Sequence, residues 1–372
     1  MIIKTITCHE VYNHGASLQE YALIKYLEQL GHDAETIHYK PSYLSNHFKM
    51  DSVGHPFFKK NTIFRAVYLT LKLPKRLINL KRKKRFDAFS KQFIKSTENL
   101  YKTNEELKNN LPLADAYICG SDQIWNSYFE NGKDPAFYLD FVPNEKLKLS
   151  YAASFAIDKL EDDIKGFVKE KVSRLNYISV RESSGKKILE DLGVSNVHQV
   201  LDPVFLLNPS DWKLLENKKI VEQDYIFIYD FDSNPLIKTM ALNLKQKYGW
   251  KIITVNELIN YADKNYFLNG PDVFLSLMKN AKFVIANSFH AVAFSIIFQK
   301  DFVVFNRMEK INTRMRDMLQ SLNLEDLLIL NSEMANSHKI NTINYIEVEN
   351  KLNKLITASK EYLDKALKVS YD

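Results

Sequence analysis

Short apolar runs recur along this chain, and each is followed at once by a polar motif. Ile2–Thr7 leads to Asn13-His14-Gly15, and Ala114–Cys119 to Gly120-Ser121-Asp122-Gln123-Ile124-Trp125-Asn126. Tyr177–Val180 carries Ser179-Val180-Arg181-Glu182, and Phe283–Ala286 leads to Asn287-Ser288-Phe289-His290. Runs this short and this continuously apolar suit strands buried on both faces, which belong to parallel sheets covered by helices. In an open α/β sheet, ligands bind in the crevice beyond the carboxyl ends of the strands. Loops bearing His, Arg, Asp and Asn at four such ends point to one shared cleft, and so to an enzyme rather than a structural module.

Helical patterns fill the intervals. After the first strand, Leu18, Ala22, Tyr26 and Leu30 share one face of a helix that Gly31 ends, and Ala34–Tyr39 reads as the next strand. Further strands are expected at 147–153, 197–201, 225–229, 251–255 and 302–305. Helices are expected at 160–174, 184–192, 235–248, 291–298 and 312–322, with another opened by Gly270-Pro271-Asp272. The α/β alternation predicts two Rossmann-like domains facing a cleft. Residues 1–205 form the first and 206–345 the second, and a C-terminal helix within 346–372 is long enough to lean back across the first.

Composition bounds the rest. With 372 residues, 45% apolar and 26% charged, the chain can bury a large core. Its two cysteines, Cys8 and Cys119, offer neither zinc spacing nor a disulfide framework and read as buried thiols. The N-terminus lacks the apolar core of a signal peptide, and no apolar run reaches the ~18 residues of a membrane span. A soluble cytoplasmic protein is expected. The net charge of +6 is local: residues 72–91 hold nine basic residues against Asp87 alone, or +8, so the remainder carries −2. This stretch is expected to be helical after Pro74, with Leu73, Leu77, Leu80, Phe86, Phe89 and Phe93 along an imperfect apolar face. Three readings stand for it: a solvated helix packing one face, a surface for an anionic substrate or the phospholipid of the inner membrane face, or a nucleic-acid patch. The last is disfavoured because no recognition motif accompanies the charge.

Several side chains could carry chemistry. Gly120 permits a tight turn, after which Ser121 or Asp122 can cap a helical turn. Asp122 can also hold a sugar hydroxyl or act as a base, and the alternative is a plain cap with Trp125 as core. Arg181, directly after an apolar strand, needs an anionic partner: Glu182, Asp202, or a substrate phosphate or carboxylate. His290 can donate to a phosphate or transfer a proton, while Arg314 and Arg316 add positive charge nearby. There is no G-x-G-x-x-G, Walker loop, H-E-x-x-H or G-x-S-x-G, which weakens dinucleotide, nucleoside-triphosphate, zinc-protease and α/β-hydrolase readings.

Taken in order, these motifs resemble the polysaccharide pyruvyl transferase family. Asn13-His14-Gly15-Ala16-Ser17-Leu18-Gln19-Glu20-Tyr21-Ala22-Leu23 is similar to the family's opening, and Gly120–Asn126 to its G-S-D-Q-x-W-N element. Ser179–Glu182, Leu201-Asp202-Pro203-Val204 and Asn287–His290 match in the same order. The resemblance implies a glycosyltransferase-B-like fold. It implies transfer of pyruvate from phosphoenolpyruvate to two hydroxyls of one sugar, giving a cyclic ketal and free phosphate, with no metal or organic cofactor. Acceptors would be sugars of bacterial surface polysaccharides (exopolysaccharide, capsule or cell wall), often lipid-linked. On this reading Arg181 and His290 hold the donor with Asn287, Ser288, Arg314 and Arg316, and His290 is the acid. Asn13, Gly15, Gln19, Ser121, Asp122, Trp125 and Asn126 fall on the acceptor side, with Asp122 or Asn13 serving the first proton removal. Departures are Ser288 where some members carry Arg, Ala291 where many carry Gly, and His14 where Tyr is common. They leave the second donor-binding cation among Arg314, Arg316 and Arg307, in that order. A nucleotide-sugar glycosyltransferase and a non-catalytic sugar-binding relative remain the alternatives, and a homo-oligomer stays open.

Overall fold

The computed structural model describes residues 1–45, 52–53, 56–59, 61–215, 220–308, 312–337, 340 and 342–368. Pro41, Gly54 and Pro56 make 40–62 loop-like in the sequence, and that stretch lies partly outside the described residues.

In the N-terminal half, β1 (Ile2–Ile6), β2 (Asp33–Thr36), β3 (Ala116–Cys119) and β4 (Leu147–Ser150) form a parallel sheet in the order β2-β1-β3-β4. Parallel bridges Leu149–Tyr177 and Ala153–Val180 continue it into the pair β5 (Ile178–Val180) and β6 (Val197–Gln199). In the C-terminal half, β7 (Tyr225–Tyr229), β8 (Lys251–Thr254), β9 (Lys264–Asn265), β10 (Phe283–Ala286), β11 (Phe302–Phe305) and β12 (Leu328–Ile329) form a second parallel sheet, ordered β12-β11-β10-β7-β8-β9. Numbered within that half, the order is 3-2-1-4-5-6, that of a doubly wound dinucleotide fold, and it reverses between β7 and β10. In the N-terminal sheet the corresponding reversal falls between β1 and β3. The two reversals place the loops after β1, β3, β7 and β10 at crevices.

The apolar runs follow from burial on both faces. Ile226, Ile228, Val284, Ile285, Val303 and Val304 have no exposed surface. The helices covering the N-terminal sheet include α1 (His14–Gln29), α3 (Asn104–Asn109), α4 (Asp162–Val172) and α5 (Ser183–Asp191), and those of the second half α6 (Pro235–Tyr248), α7 (Pro271–Asn280), α8 (Phe289–Ile297), α9 (Thr313–Leu322) and α10 (Ser332–Ser337). The last helix, α11 (Tyr345–Leu367), starts on the second half, where Tyr345 donates to the Lys300 carbonyl at 2.5 Å. It ends on the first: Ser359 Oγ accepts from the Leu201 amide at 2.9 Å, and Tyr362 donates to the Ser150 carbonyl at 2.9 Å. Among the described residues, no helix is long and apolar enough to cross a membrane.

Two expectations need correcting. The basic stretch is not helical only after Pro74: α2 runs Thr62–Phe93 with Pro74 inside it. Proline removes one backbone donor and leaves a carbonyl one turn earlier unpaired. Pro74 is exposed, so water can take that carbonyl. Helix α8 begins at Phe289, not Ala291, which puts His290 within the first helical turn.

Candidate active site

The N-terminal contribution is built from the ends of β1, β3, β5 and β6. At the end of β3 the backbone is left-handed at Gly120 (φ 124°) and Asp122 (φ 66°). A Cβ on Gly120 would lie 2.1 Å from the Tyr151 carbonyl oxygen, so only glycine lets the loop turn beside β4. Gln19, completely buried on α1, ties the first two loops together: its amide donates to Thr7 Oγ1 at 3.1 Å, and its oxygen accepts from the Ser121 amide at 3.2 Å. Ser121 Oγ donates to the Ala152 carbonyl at 2.8 Å. Gln19 and Ser121 therefore hold the loop in place from behind. Trp125 lies in the core, stacked 5.3 Å from Tyr138 with its indole N–H on the Phe137 carbonyl at 3.0 Å. Asn126 is buried too and bonds Gln123 at 2.8 Å. Neither Trp125 nor Asn126 reaches the cleft. Gln123 does.

Arg181 and Asp202 form the charged centre. Arg181 Nη1 is hydrogen-bonded to Asp202 Oδ2, both side chains almost fully buried, and Arg181 Nη2 lies 3.3 Å from Asp122 Oδ1. Asp202 also caps the turn at Pro203 by accepting from the Val204 amide at 3.1 Å. Burial alone would raise the Asp202 carboxyl, but Arg181 and His290 outweigh it and hold the group far below the usual carboxylate range. Asp122 is likewise depressed: Arg181, His290 and Arg314 overcome its desolvation. Glu182 points the other way, its carboxyl raised by burial while one oxygen accepts from the Phe155 and Ala156 amides at 2.8 and 2.9 Å. It supports the loop below the cleft.

The C-terminal half answers from β7, β10 and α9. His290 Nε2 sits 3.6 Å from Asp202 Oδ2 and has no hydrogen-bond partner. Its ring lies against Gly15, where a Cβ would fall 2.1 Å from Nδ1. Gly15 is thus the close-approach point between the starts of α1 and α8. Ser288, the N-cap of α8, makes no side-chain capping bond, so it leaves the first-turn amides unclaimed beside the cleft. Asn287 is committed to bracing: its amide donates to Asp230 at 2.7 Å and its oxygen accepts from the Phe231 amide at 3.0 Å. Arg314 Nη1 reaches across to Asp122 at 3.5 Å. Burial, then the charge of Arg181, pushes Arg314 down to about 10. Two guanidiniums lie over the Phe289 ring, Arg181 at 4.7 Å and Arg314 at 5.8 Å from its centroid. Arg307 lies over Phe231 at 4.9 Å, with Nη2 3.4 Å from Asp232.

Asn13, Asp122, Ser288, His290, Arg307 and Arg314 line one cleft of about 100 Å³, whereas Arg181 opens on a neighbouring pocket that it shares with Phe289 and Arg314. Arg316 stands apart, half-exposed, 3.5 Å from Asp158. Sequence reasoning placed Arg316 ahead of Arg307, and the geometry reverses that order. It also left Asp202 as a mere partner of Arg181, although its position after β6 in Leu201-Asp202-Pro203-Val204 was the available signal. Phe231 and Asp232 carried none beyond following the apolar run of β7. A joint beside the cleft explains His14: fully buried, it bonds Tyr229 at 3.0 Å and stacks on Phe274 at 5.3 Å, which links α1 to the second sheet. Burial pushes its pKa well below the ordinary imidazole value. On the other side of the first loop, His9, Glu10 and His38 converge closely enough to hold a cation. There Glu20 takes His9 Nδ1 at 2.7 Å and Lys40 takes Glu10, so the cluster is internally paired.

With this geometry the chain was compared with known proteins. A family model described as polysaccharide pyruvyl transferase matches residues 13–307. No curated protein matches significantly. Among solved structures the chain is similar to Arabidopsis thaliana UGT89C1 complexed with UDP-L-rhamnose, at 8% identity and a TM-score of 0.53, over 98% of this chain and 97% of that one. It is also similar to a UDP-GlcNAc 2-epimerase from Methanocaldococcus jannaschii, at 12% identity and a TM-score of 0.48, over 96% and 99%. The former likeness speaks for the fold alone, which is of the glycosyltransferase-B type. The motifs at 13–23, 120–126, 179–182, 201–204 and 287–290 all fall inside the matched span, and the chain belongs to the polysaccharide pyruvyl transferase family.

Proposed function

We propose that the cleft binds phosphoenolpyruvate and transfers its pyruvyl carbon to two hydroxyls of one sugar of a surface polysaccharide or its lipid-linked precursor. The observation that carries this reading is the charge pattern. Two almost buried guanidiniums, Arg181 and Arg314, share one partly exposed carboxylate, Asp122, beside the uncapped N-terminus of α8. Arg314 keeps a buried Nε without a hydrogen-bond partner, and burial followed by the charge of Arg181 lowers its pKa. A small dianion or trianion would satisfy it, and helix amides favour a phosphate or carboxylate at the same place.

The chemistry follows atom by atom. One sugar hydroxyl oxygen attacks C2 of the enol phosphate and loses its proton. C3 gains a proton from His290 and becomes the methyl group. The second hydroxyl oxygen then attacks C2, the C2–O bond to phosphate breaks, and its proton leaves with the phosphate. Asp122 is a poor base while two arginines depress it. When the donor's anionic groups take over Arg314, that part of the depression is relieved and Asp122 can accept the first proton. Donor binding thus arms the base. Asn13, which caps α1 through the Ala16 amide at 3.2 Å and also lines the cleft, is placed to orient the acceptor.

The test is phosphate release from phosphoenolpyruvate with galactose-, glucose- and N-acetylmannosamine-terminated acceptors, with product mass recorded. Acceptor-dependent release with the mass gain of one ketal-linked pyruvate supports the reading. Sugar transfer from a nucleotide sugar, without use of phosphoenolpyruvate, would replace it with a glycosyltransferase.

A further inference from the structure

Residues 52–86 contain eleven Lys or Arg and no Asp or Glu. Most of them lie on α2, whose ends behave differently. The C-terminal third is docked: Phe86 and Phe89 are buried, and Arg82 donates to the Val255 and Phe267 carbonyls at 3.1 and 2.5 Å. The N-terminal half turns its apolar side chains outward. Ile63 is 73% exposed, Val67 47%, Leu71 72% and Ile78 38%. With Pro74 their spacing of 4, 4, 3 and 4 puts all five on one face. Phe64 and Leu77, also exposed, widen that face. The next two positions along the same line are Lys81 and Arg85, both exposed. The stripe therefore runs from aliphatic to basic.

We propose that α2 lays this face on an anionic lipid surface, with Ile63, Val67, Leu71 and Ile78 entering the headgroup–acyl boundary and Lys75, Lys81 and Arg85 meeting lipid phosphates. A bilayer offers an apolar phase and negative charge together, which is the combination the stripe presents. A second copy of this chain would bring together two faces whose charges are all positive. A nucleic acid would leave the aliphatic side chains unused. Fixing Arg82 to the second half also sets the cleft at a constant offset from the surface, since Phe86 packs on His14 at 5.0 Å. This proposal uses no cleft residue and stands whether or not the pyruvyl-transfer reading does.

The experiment is flotation of the full chain with vesicles of phosphatidylcholine alone and of phosphatidylcholine mixed with phosphatidylglycerol. Binding to the mixed vesicles, weakening steeply as salt rises above about 0.1 M, is expected. Ile63→Ser/Val67→Ser/Leu71→Ser and, separately, Lys75→Gln/Lys81→Gln/Arg85→Gln should each weaken it by about tenfold or more, with Tm unchanged because the side chains are solvent-exposed. Equal binding to both vesicle types, no binding at low salt, or a dimer that the Ser variant converts to monomer would overturn the proposal.

Discussion

The two halves bring opposite things to one cleft. The N-terminal half supplies a closed charge lattice: Asp202 and Ser121 have no exposed surface, Arg181 almost none, and each is held by neighbours of its own half. The C-terminal half supplies groups with something left over: a His290 nitrogen without a hydrogen-bond partner, an uncapped α8 and an Arg314 whose Nε is likewise unpartnered. Buried charges persist only when paired, so the first set is costly to disturb and poor at exchanging partners. The second set can accept a ligand at little cost to the fold. On the proposed function, one half fixes the geometry and the other takes the anion.

That contrast can be broken. The largest effect should come from His290→Ala, lowering phosphate release by roughly 10²–10⁴-fold while leaving Tm near its original value. A Tm collapse in that variant would show His290 to be structural, like its partner across the cleft. Next, Asp202→Ala should cost about 3–5 kcal/mol in denaturant unfolding, because it strands the buried Arg181 guanidinium. Arg314→Ala should instead leave stability within about 1 kcal/mol and weaken donor affinity roughly ten- to a hundredfold. Similar stability losses in both would erase the distinction.

A smaller effect belongs to the joint between the halves. His14 is held neutral, so the folded pKa lies below the unfolded value of 6.5. Below that value the unfolded chain takes up a proton that the folded chain does not. Stability is therefore intact above pH 6.5 and falls by up to about 1.4 kcal/mol per pH unit as acid is added, until the folded pKa is reached. His14→Tyr, which keeps a ring but does not titrate in this range, should flatten Tm between pH 7 and 5; an unchanged slope would assign the acid sensitivity elsewhere. The smallest effect is Arg316→Ala. Its half-exposed pair with Asp158 predicts a change of about 0–1 kcal/mol and unaltered kinetics.

Much of this was legible in the sequence, for definite reasons. Strands buried on both faces must be continuously apolar, so β7, β10 and β11 announced themselves, and ligand loops must follow them. What failed was direction. On α9 the buried side chains Met315, Met318, Leu319 and Leu322 define the inner face, and Arg314 and Arg316 lie about 100° to either side of it. Helical phase alone could not choose between them, and only the tertiary position of Asp122 does. Loop residues have no period at all, which is why Trp125 was read toward the cleft although its indole lies in the core. Asp202 needed the bridge between the two N-terminal sheets before its place beside Ser121 could be seen. Pro74 argued for a boundary that its exposure makes unnecessary.

The most direct measurement is calorimetric titration of phosphoenolpyruvate into the wild-type chain, Arg314→Ala and Arg316→Ala. The arginines stand two residues apart, one in the cleft and one outside it. The account predicts binding to wild type and Arg316→Ala alike, and at least about tenfold weaker binding to Arg314→Ala. Equal affinity in all three, or no binding to wild type, would contradict an anion cradle between the two halves.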